Sequence, residues 1–572
     1  MEKIWSLSAS LTRESREALS KYLPIEQEIL FRRGLRSNEE AEAYLSGTDS
    51  EDHDPFLMLG MENAIHRLIK AIQSGEHIVV YGDFDADGVS ATALLVETLR
   101  EVGADVRHYI PSRFEEGYGL NIEALSKIRD QRVGLVVTVD CGVRAVNEIE
   151  HAESLGLDVI VTDHHHPGPY LPPAKAIINP KQEGDQYPFK ELAGVGLAYK
   201  LAQALFQRLG RSEPVDSLDL VAIGTVADLA PLKFENRALV RRGIDQLNKT
   251  KRRGLVALSE VVGYDIRSHN TKTIGFSIGP RLNAAGRLAS AESSYLLLLE
   301  DDETEAKRLA LALEEINRER QSITHEMVEK ARELWKGEDP ASSFIFVADS
   351  EFNEGVVGLV ASRLVDEFYR PAVVAVRGSE STRASGRSIP EFHITQALDE
   401  CAGLLQRYGG HSGAAGFTVL NENLVELVNR LRAIASERLS GIDLRPTLEV
   451  DAVVQFSQLD WPLLDFIERM EPCGMGNPSP VLATQGAEVI SKRTVGSKGR
   501  HLKLTLRREG VTKDAIAFRL GHLNDVLPQY VDLAFHIERN DYWRVPSLEL
   551  IVIDIRAAGS MRDPELVDRI VS

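Results

Sequence analysis

Cysteine is scarce in this sequence, and its apolar runs are short. The 572 residues include three cysteines, Cys141, Cys401 and Cys473, which lack the spacing of a zinc site. So few thiols argue against a disulfide framework and suit a reducing compartment. No apolar run approaches the length of a membrane span, and residues 1–6 lack the pattern of a signal peptide. We therefore expect a cytoplasmic protein.

Basic residues are also in deficit, which argues at first against a nucleic-acid partner. The 66 Lys and Arg residues face 86 Asp and Glu residues, for a formal net charge of −20, whereas phosphate binding normally requires basic excess. Net charge is a sum over domains, however, and an acidic metal site carries its own cations. Seven basic residues form a local tract near the C-terminus: Lys492, Arg493, Lys498, Arg500, Lys503, Arg507 and Arg508.

What the sequence does contain is three apolar strands that each lead into aspartate. Strand 78–81 precedes the loop with Asp83, Asp85 and Asp87, strand 135–139 precedes Asp140, and strand 159–162 precedes the run 163–166, Asp-His-His-His. The carboxyl ends of parallel strands lie along one edge of a sheet, where open α/β sheets build their sites. Carboxylates crowded there would take up protons unless a cation lay among them. The sequence therefore predicts a divalent metal cluster.

The predicted ligands are oxygen and imidazole, which suit Mn²⁺ or Mg²⁺ and argue against structural zinc. Their number favours two ions, an arrangement that holds the attacking water and the leaving oxygen at a phosphorus centre. Hydrolysis of a phosphoester or phosphoanhydride is thus the natural reaction class. A single DxDxDG loop could equally be a calcium-type loop or a solvated turn, and the interpretation depends on the other two strand ends.

These residues resemble motifs I to III of the DHH phosphoesterase family: residues 83–91, the Asp140-Cys141-Gly142 turn, and Asp163-His164-His165. Residues 226–232 resemble motif IV. Ser385-Gly386-Arg387-Ser388 and Gly409-Gly410-His411 resemble the associated DHHA1 domain. Over nearly the whole chain, the order and spacing are similar to those of the family's bacterial single-strand-specific exonucleases.

The resemblance implies that one group of residues binds the two ions: Asp83, Asp85, Asp87, Asp140, His164 and Asp228. It also implies that His165 faces the metal or the scissile phosphate and that Asp163 orients an imidazole. His166 should be exposed or structural. Alternatives stay open for three carboxylates, since Asp83 could cap the loop, Asp140 could cap a helix, and Asp228 could be a turn residue.

An exonuclease must sense a strand end, and a terminal phosphate is well held by arginine and by glycine-rich turns. Nine residues are candidates for binding the substrate: Arg113, Arg281, Arg287, Ser385, Gly386, Arg387, Gly409, Gly410 and His411. Arg387 resembles the family's phosphate-contacting arginine. The alternative for the three other arginines is surface salt bridging, and for the glycines ordinary turns.

The predicted fold is α/β. Strands alternating with helices predict a parallel-sheet DHH domain over 71–300, after a helical lead-in over 1–70. Residues 303–336 lack Gly and Pro and predict a long linker helix, within a segment placed at 301–340. A smaller α/β DHHA1 domain should occupy 341–440. Many short strands predict an all-β barrel over 441–572, an OB-fold nucleic-acid-binding domain by resemblance.

Aromatic residues of that last segment have two interpretations. Phe535, Tyr542 and Trp543 could stack on bases while the basic tract follows the backbone. Aromatics in short strands are more often part of a core, and we expect this for most of them.

The resemblance implies an exonuclease that degrades single-stranded DNA from 5′ to 3′ and releases mononucleotides in recombination and repair. It implies single-strand DNA-binding protein and a RecQ-type helicase as partners, and we expect a monomer. One alternative is a phosphodiesterase for short oligoribonucleotides or cyclic dinucleotides, but such relatives are usually shorter and lack the barrel. Another is a non-catalytic DNA-binding scaffold that has lost metal ligands, whereas every expected ligand is present here.

Overall fold

The structure is a computed structural model, and it describes residues 3–7, 11–48, 52–336, 342–540 and 545–560. Its strands are β1 (Ile4–Leu7), β2 (His77–Tyr81), β3 (Val106–Tyr109), β4 (Val133–Val139), β5 (Asp158–Thr162), β6 (Ala176–Ile178), β7 (Ile345–Asp349), β8 (Ala372–Arg377), β9 (Ser381–Arg387), β10 (Leu405–His411), β11 (Ala414–Leu420), β12 (Thr447–Val450), β13 (Ala452–Val453), β14 (Leu482–Val495), β15 (His501–Arg508), β16 (Val511–Ala517), β17 (Tyr530–Asn540) and β18 (Ser547–Ala557).

The helices are α1 (Arg13–Ala18), α2 (Pro24–Arg32), α3 (Asn38–Ser46), α4 (Met61–Ser74), α5 (Ala86–Glu101), α6 (Ile122–Asp130), α7 (Val146–Ser154), α8 (Gly194–Arg208), α9 (Leu218–Ala227), α10 (Phe234–Leu247), α11 (Arg253–Val262), α12 (Thr271–Thr273), α13 (Gly279–Leu288), α14 (Glu292–Leu299), α15 (Glu303–Lys336), α16 (Val357–Phe368), α17 (Ile394–Asp399), α18 (Leu424–Arg438) and α19 (Trp461–Glu468). A π-helical turn, Ile274–Ile278, joins α12 to α13.

The described chain divides into two compact units. The first comprises residues 55–228 and 243–446, and the second comprises 3–54, 229–242 and 447–560. The N-terminal segment therefore belongs to the same unit as the C-terminal strands.

The first unit contains the predicted parallel sheet, with five strands in the order β3-β2-β4-β5-β6. All its pairings are parallel, and the register aligns Tyr81 with Thr138 and Val139 with Thr162. The carboxyl ends of β2, β4 and β5 thus lie side by side. Helix α5 follows β2 and is buried on nearly every face, as expected of an apolar helix inside a domain.

A second sheet in this unit has the order β10-β11-β9-β8-β7, in which β7 and β8 are parallel and the other pairs antiparallel. It is the predicted smaller α/β domain. The predicted linker is confirmed as α15, whose 34 residues span about 51 Å. Its first half packs on α11, α13 and α14, and its second half on α16 and β7. The two buried stretches along one helix explain how α15 connects the two sheets.

The second unit is built around a barrel of β14, β15, β16, β18 and β17, closed by pairing of β14 with β17. Closure removes the free sheet edges, and the five-strand barrel is the predicted OB fold. Phe535 is fully buried in its core, which excludes it from base stacking, while Tyr542 and Trp543 lie outside the described residues. Strand β1 pairs in parallel with β12. Within the described residues, no helix is both long and apolar enough to cross a bilayer.

Candidate metal centre and active site

The three strand ends and the end of α9 place seven polar side chains in one cluster, in the first unit. Three sets of ligand atoms each lie within 4.8 Å of one another: Asp83 with Asp85 and Asp140; Asp87 with His164 and Asp228; and Asp140 with His164 and His165. Asp228 arrives from a different direction, as the residue that ends α9. All seven residues predicted to be catalytic are therefore brought together.

In the loop after β2, the carboxylate of Asp85 caps the helix that follows. Oδ1 of Asp85 accepts hydrogen bonds from the backbone N–H groups of Asp87 and Gly88, at 2.9 and 3.0 Å, and so caps α5. The other oxygen of Asp85 is left for a ligand. Gly88 is required here, because a Cβ would lie 2.6 Å from Cβ of Asp83.

Asp87 differs from the other carboxylates because both its oxygens accept backbone hydrogen bonds. The N–H groups of Gly194 and Val195, in the first turn of α8, lie 2.7 and 2.8 Å away. A helix N-terminus favours a negative charge, so this contact stabilises the carboxylate in its ionised form. Gly194 also lets the helix approach, since a Cβ there would lie 2.7 Å from Asp140.

Asp140 has a left-handed backbone with φ of 62°, which is uncommon for a residue other than glycine. Its N–H donates to the carbonyl of Thr162 at 3.0 Å, and its own carbonyl accepts from the Tyr118 hydroxyl at 3.3 Å. These bonds hold the strained turn that directs the carboxylate into the cluster.

The two histidines have different partners. Nε2 of His164 lies 3.1 Å from Oδ1 of Asp140 and 3.9 Å from Oδ2 of Asp228. Nδ1 of His165 instead donates to Oδ1 of Asp163 at 2.7 Å, while Oδ2 of Asp163 accepts from the N–H of Val143. Asp163 therefore orients the imidazole of His165 and holds a proton on its Nδ1.

Burial and mutual repulsion shift the pKa values of the cluster. Burial, followed by repulsion from neighbouring carboxylates, raises the pKa of Asp83 and Asp140 well above the usual range. The same causes raise the pKa of Asp87 to about 7 and that of Asp228 to about 9. Burial lowers the pKa of His164 to about 3, so this imidazole is neutral and can act as a ligand.

Three buried atoms of the cluster make no hydrogen bond among the described residues: Oδ1 of Asp83, Oδ1 of Asp140 and Nε2 of His164. The last two approach to 3.1 Å but without hydrogen-bond geometry. Buried polar atoms are nearly always satisfied, and repelling carboxylates need a counter-charge. Hard oxygen donors with imidazole and no thiolate fit Mn²⁺ or Mg²⁺. The residues present therefore fit a pair of divalent ions.

Three of the four predicted arginines lie next to this cluster. The guanidinium of Arg113 stacks on Phe84, 3.9 Å from the ring centre, and its Nε donates to the carbonyl of Gly286. Burial, then repulsion from Arg113, lowers the pKa of Arg287 to about 10, and Arg387 adds further repulsion. The three cations thus share one partly buried site beside Asp85.

Ser385 and Gly386 hold Arg387 in place. Nη1 of Arg387 donates to the Ser385 hydroxyl at 3.1 Å and to the Gly386 carbonyl at 2.8 Å. Arg281, in contrast, is in an ion pair with Glu314 of α15 at 2.7 Å and donates to the carbonyl of Ser277. Its contacts connect α13 to the long helix.

Gly409, Gly410 and His411 line a cavity of about 410 Å³ together with Tyr118, Arg144 and His165. The end of β10 in the second sheet thus faces the carboxyl ends of the first. Gly410 has φ of 149°, and a Cβ there would lie 2.2 Å from the carbonyl of Ala414. The predicted glycine pair therefore allows a close turn at the edge of the site.

Sequence reasoning missed Tyr118 and Asn283. The Tyr118 hydroxyl lies 3.2 Å from Nδ1 of His165, and Oδ1 of Asn283 accepts from the N–H of Ala86 at 2.9 Å. Asn283 lies two residues after Arg281, in the stretch that supplies two of the predicted arginines. The one sequence feature that could have identified Asn283 is its polar amide, which lies near glycines in that helix.

Three family models match the chain: the DHH family N-terminal domain over residues 77–225, the DHHA1 domain over 341–437, and the RecJ OB domain over 450–554. Similar curated proteins include single-stranded-DNA-specific exonucleases RecJ. That of Bacillus subtilis is 42% identical over 88% of this chain and 64% of its own length. That of Haemophilus influenzae is 34% identical over 87% of this chain and 91% of its own length.

Solved structures of RecJ from Thermus thermophilus are also similar. The complex with Mn²⁺ has a TM-score of 0.83 and 32% identity, covering 98% of this chain and 80% of the other. The complex with Mg²⁺ has a TM-score of 0.77 and 31% identity, covering 97% and 79%.

Proposed function

This chain belongs to the RecJ family, and on that premise we propose that it is a metal-dependent exonuclease hydrolysing the phosphodiester bonds of single-stranded DNA. The observation that carries the proposal is the convergence of the strand-end carboxylates with His164, at ligand distances, beside three arginines. The proposal also includes degradation from 5′ to 3′, release of mononucleotides, and a role in recombination and repair.

Six side chains hold the two Mn²⁺ or Mg²⁺ ions in this proposal: Asp83, Asp85, Asp87, Asp140, His164 and Asp228. When bound, the ions supply Lewis acidity that activates water and stabilises charge on the phosphoryl oxygens. Among the protein groups, Asp163 keeps the proton of His165 on Nδ1. His165 can therefore present an unprotonated Nε2 to a metal or, once protonated there, a donor to the scissile phosphate.

In this proposal, three arginines recognise the terminal phosphate of the strand. Arg287 and Arg387 have pKa values lowered by burial, yet both guanidinium groups stay charged at neutral pH. Grouped cations that repel one another favour an anion between them, and a terminal phosphate carries the required charge. Arg113 completes this pocket, which lies on the Asp85 side of the metal ligands.

In this proposal, single-strand specificity depends on the size of the cavity between the two sheets of the first unit. The cavity of about 410 Å³ under Gly409 and Gly410 has the scale of one nucleotide rather than a base-paired duplex. The barrel adds affinity along the strand. In its basic tract, Lys503 is paired with Glu549 and Arg507 with Glu488, so Arg493, Lys498 and Arg500 are the better candidates for phosphate contacts.

We further propose that the enzyme works as a monomer in the reducing cytoplasm. All three cysteines are buried and free, which supports that compartment. Single-strand DNA-binding protein and a RecQ-type helicase are the proposed partners, because single strands must be exposed and delivered before this site can act.

The test is digestion of a DNA oligomer labelled at either end, with Mn²⁺, beside its duplex and an RNA of the same sequence. Early release of the 5′-terminal mononucleotide from single-stranded DNA alone is the expected result. A 3′-terminal product would refute the polarity. Preference for very short RNA would move the assignment to an oligonucleotide phosphodiesterase.

A further inference from the structure

The helix over residues 271–288 has one accessible stripe along its length. Phe276, Pro280, Asn283 and Arg287 are exposed or half-buried, whereas most residues between them, such as Ile278 and Leu282, are buried. Arg281 is half-buried, in its ion pair with Glu314. Their spacing of four, three and four residues places them on one face. The stripe is therefore a continuous surface and not a scatter of exposed positions.

One end of this stripe is part of the active site. Asn283 accepts a hydrogen bond from the N–H of Ala86 in the metal-binding loop, and Arg287 interacts electrostatically with Asp85, Arg113 and Arg387. Gly286 lets the helix touch that loop, since a Cβ there would lie 2.2 Å from the carbonyl of Phe84.

The other end of the stripe lies against α9, which carries Asp228 at its C-terminus. A Cβ at Gly275 would lie 3.8 Å from Cγ1 of Val226, and one at Gly279 would lie 3.2 Å from Cβ of Ala227. The π-helical turn, Ile274–Ile278, forms this contact, and such turns recur at functional sites. Gly275, the neighbour of Phe276 in the chain, thus lies near Val226, two residues from the proposed metal ligand Asp228.

Phe276 itself is 82% exposed, more than any other large apolar side chain in the described residues. Its position on the helix is fixed by the buried residues around it, Ile274 and Ile278. A phenylalanine ring presented to solvent from a rigid, well-packed helix is suited to stacking on a flat partner.

We propose that Phe276 stacks on a base of the single strand beyond the scissile bond, making it a positioning residue for long substrates. This inference rests on the proposed function. Eleven residues separate Phe276 from Arg287, which corresponds to about 16 Å of helix, on the order of five nucleotides at a stacked spacing of ~3.4 Å. A strand with its end at the arginines would pass the metal ligands and reach Phe276.

The alternative occupant is a protein partner, and the stripe fits one poorly. Docking surfaces expose several large apolar side chains together. On its helix face Phe276 is flanked by Lys272 and Pro280, so the apolar surface there is one aromatic ring and one prolyl ring. Phe276 is a single exposed ring, and it lies on a path that begins at the metal ligands and the arginine pocket. These surroundings suit a base of nucleic acid better than a protein partner.

The experiment compares a trinucleotide, too short to reach Phe276, with a strand of about 20 nucleotides. In Phe276→Ala we expect KM for the long strand to rise about tenfold, as is typical when one stacking residue is lost, with the trinucleotide kcat/KM unchanged. Phe276→Tyr should restore wild-type values. Tyr264→Ala removes another exposed aromatic of the same unit and serves as the matched control.

A second readout reports stacking directly. With 2-aminopurine placed at successive positions of a long strand, and with EDTA to prevent cleavage, wild-type protein should quench one position several nucleotides from the end. Phe276→Ala should lose that quenching, and Phe276→Tyr should keep it. Equal effects of Phe276→Ala on short and long strands, or quenching that persists, would overturn the inference. A wild-type protein that does not cleave single-stranded DNA would instead overturn the proposed function and this inference with it.

Discussion

The imidazole of His165 is fixed by the carboxylate of Asp163, with 2.7 Å between Nδ1 and Oδ1. Burial alone would lower the pKa of His165, but the hydrogen bond and charge of Asp163 outweigh it and raise that pKa. The same contact outweighs burial for Asp163 and lowers its pKa. The contact thus favours a protonated His165 beside an ionised Asp163 in the metal-free protein.

Replacing Asp163 by Asn should lower kcat/KM for single-stranded DNA about 10- to 100-fold, the usual loss when the support of a ligating histidine is removed. The amide can offer N–H to Nδ1 and so favours the wrong tautomer. Steady-state kinetics with a Mn²⁺ titration measures the effect. Full activity with an unchanged Mn²⁺ requirement would contradict the role assigned to Asp163.

Replacing Asp140 by Asn should abolish cleavage while leaving the fold intact. Asparagine tolerates the left-handed φ of 62°, whereas alanine at this position would add backbone strain. Removing one of the repelling charges should also raise the free energy of unfolding of the metal-free protein by about 1–2 kcal/mol. Thermal melting in EDTA and in Mn²⁺ tests both effects. Cleavage persisting in saturating Mn²⁺ would refute the ligand assignment.

Metal binding should strengthen as pH rises, because bound ions displace protons from Asp87 and Asp228. The pKa values of these carboxyls are raised by burial and repulsion to about 7 and about 9. Folding raises these pKa values above those of an unfolded chain, so the metal-free protein loses stability as pH rises from about 4 to about 9. The increase in Tm on adding Mn²⁺ should therefore be larger at about pH 8.5 than at about pH 6. An equal increase at both pH values would contradict proton displacement.

Arg281 and Arg318 offer a matched comparison, because both pair with Glu314. The Arg281 and Glu314 side chains are each 12% exposed, whereas that of Arg318 is 74% exposed. Arg281→Ala leaves Glu314 buried without its inner partner and should cost about 3 kcal/mol of unfolding free energy. Arg318→Ala should cost below about 1 kcal/mol. Urea denaturation of the two variants measures both losses of unfolding free energy. Equal losses would show that Arg281 does not stabilise the packing of α15.

Much of the fold could be predicted because its signals are local. The absence of Gly and Pro over 303–336 predicts α15, and the apolar runs before Asp83, Asp140 and Asp163 predict the sheet edge. Helix α5 begins at Ala86, inside the loop that the motif marks as metal-binding, because Asp85 serves as its N-cap as well as a cluster residue. A sequence pattern does not reveal that the same side chain both caps a helix and belongs to the ligand cluster.

The features that sequence reasoning missed are contacts between distant residues. Nothing near Asn283 indicates that its amide will accept from Ala86, and nothing near Arg281 indicates that Glu314 will face it. The strained backbone at Asp140 depends on Thr162 and Tyr118, which come from other elements. Such details follow from tertiary packing, which a motif does not encode.

The pairing of β1 with β12 has a consequence for synthesis of the chain. Ile4–Leu7 are synthesised before their partners in Thr447–Val450, which follow more than 400 residues later in the chain. At about 5–20 residues per second, this strand waits roughly 20 to 90 seconds for its partner. The parallel sheet can form during that interval, because its strands end at Ile178. The nascent chain thus completes its parallel sheet while β1 still has an unpaired edge. During that period a chaperone or a neighbouring nascent chain could bind β1.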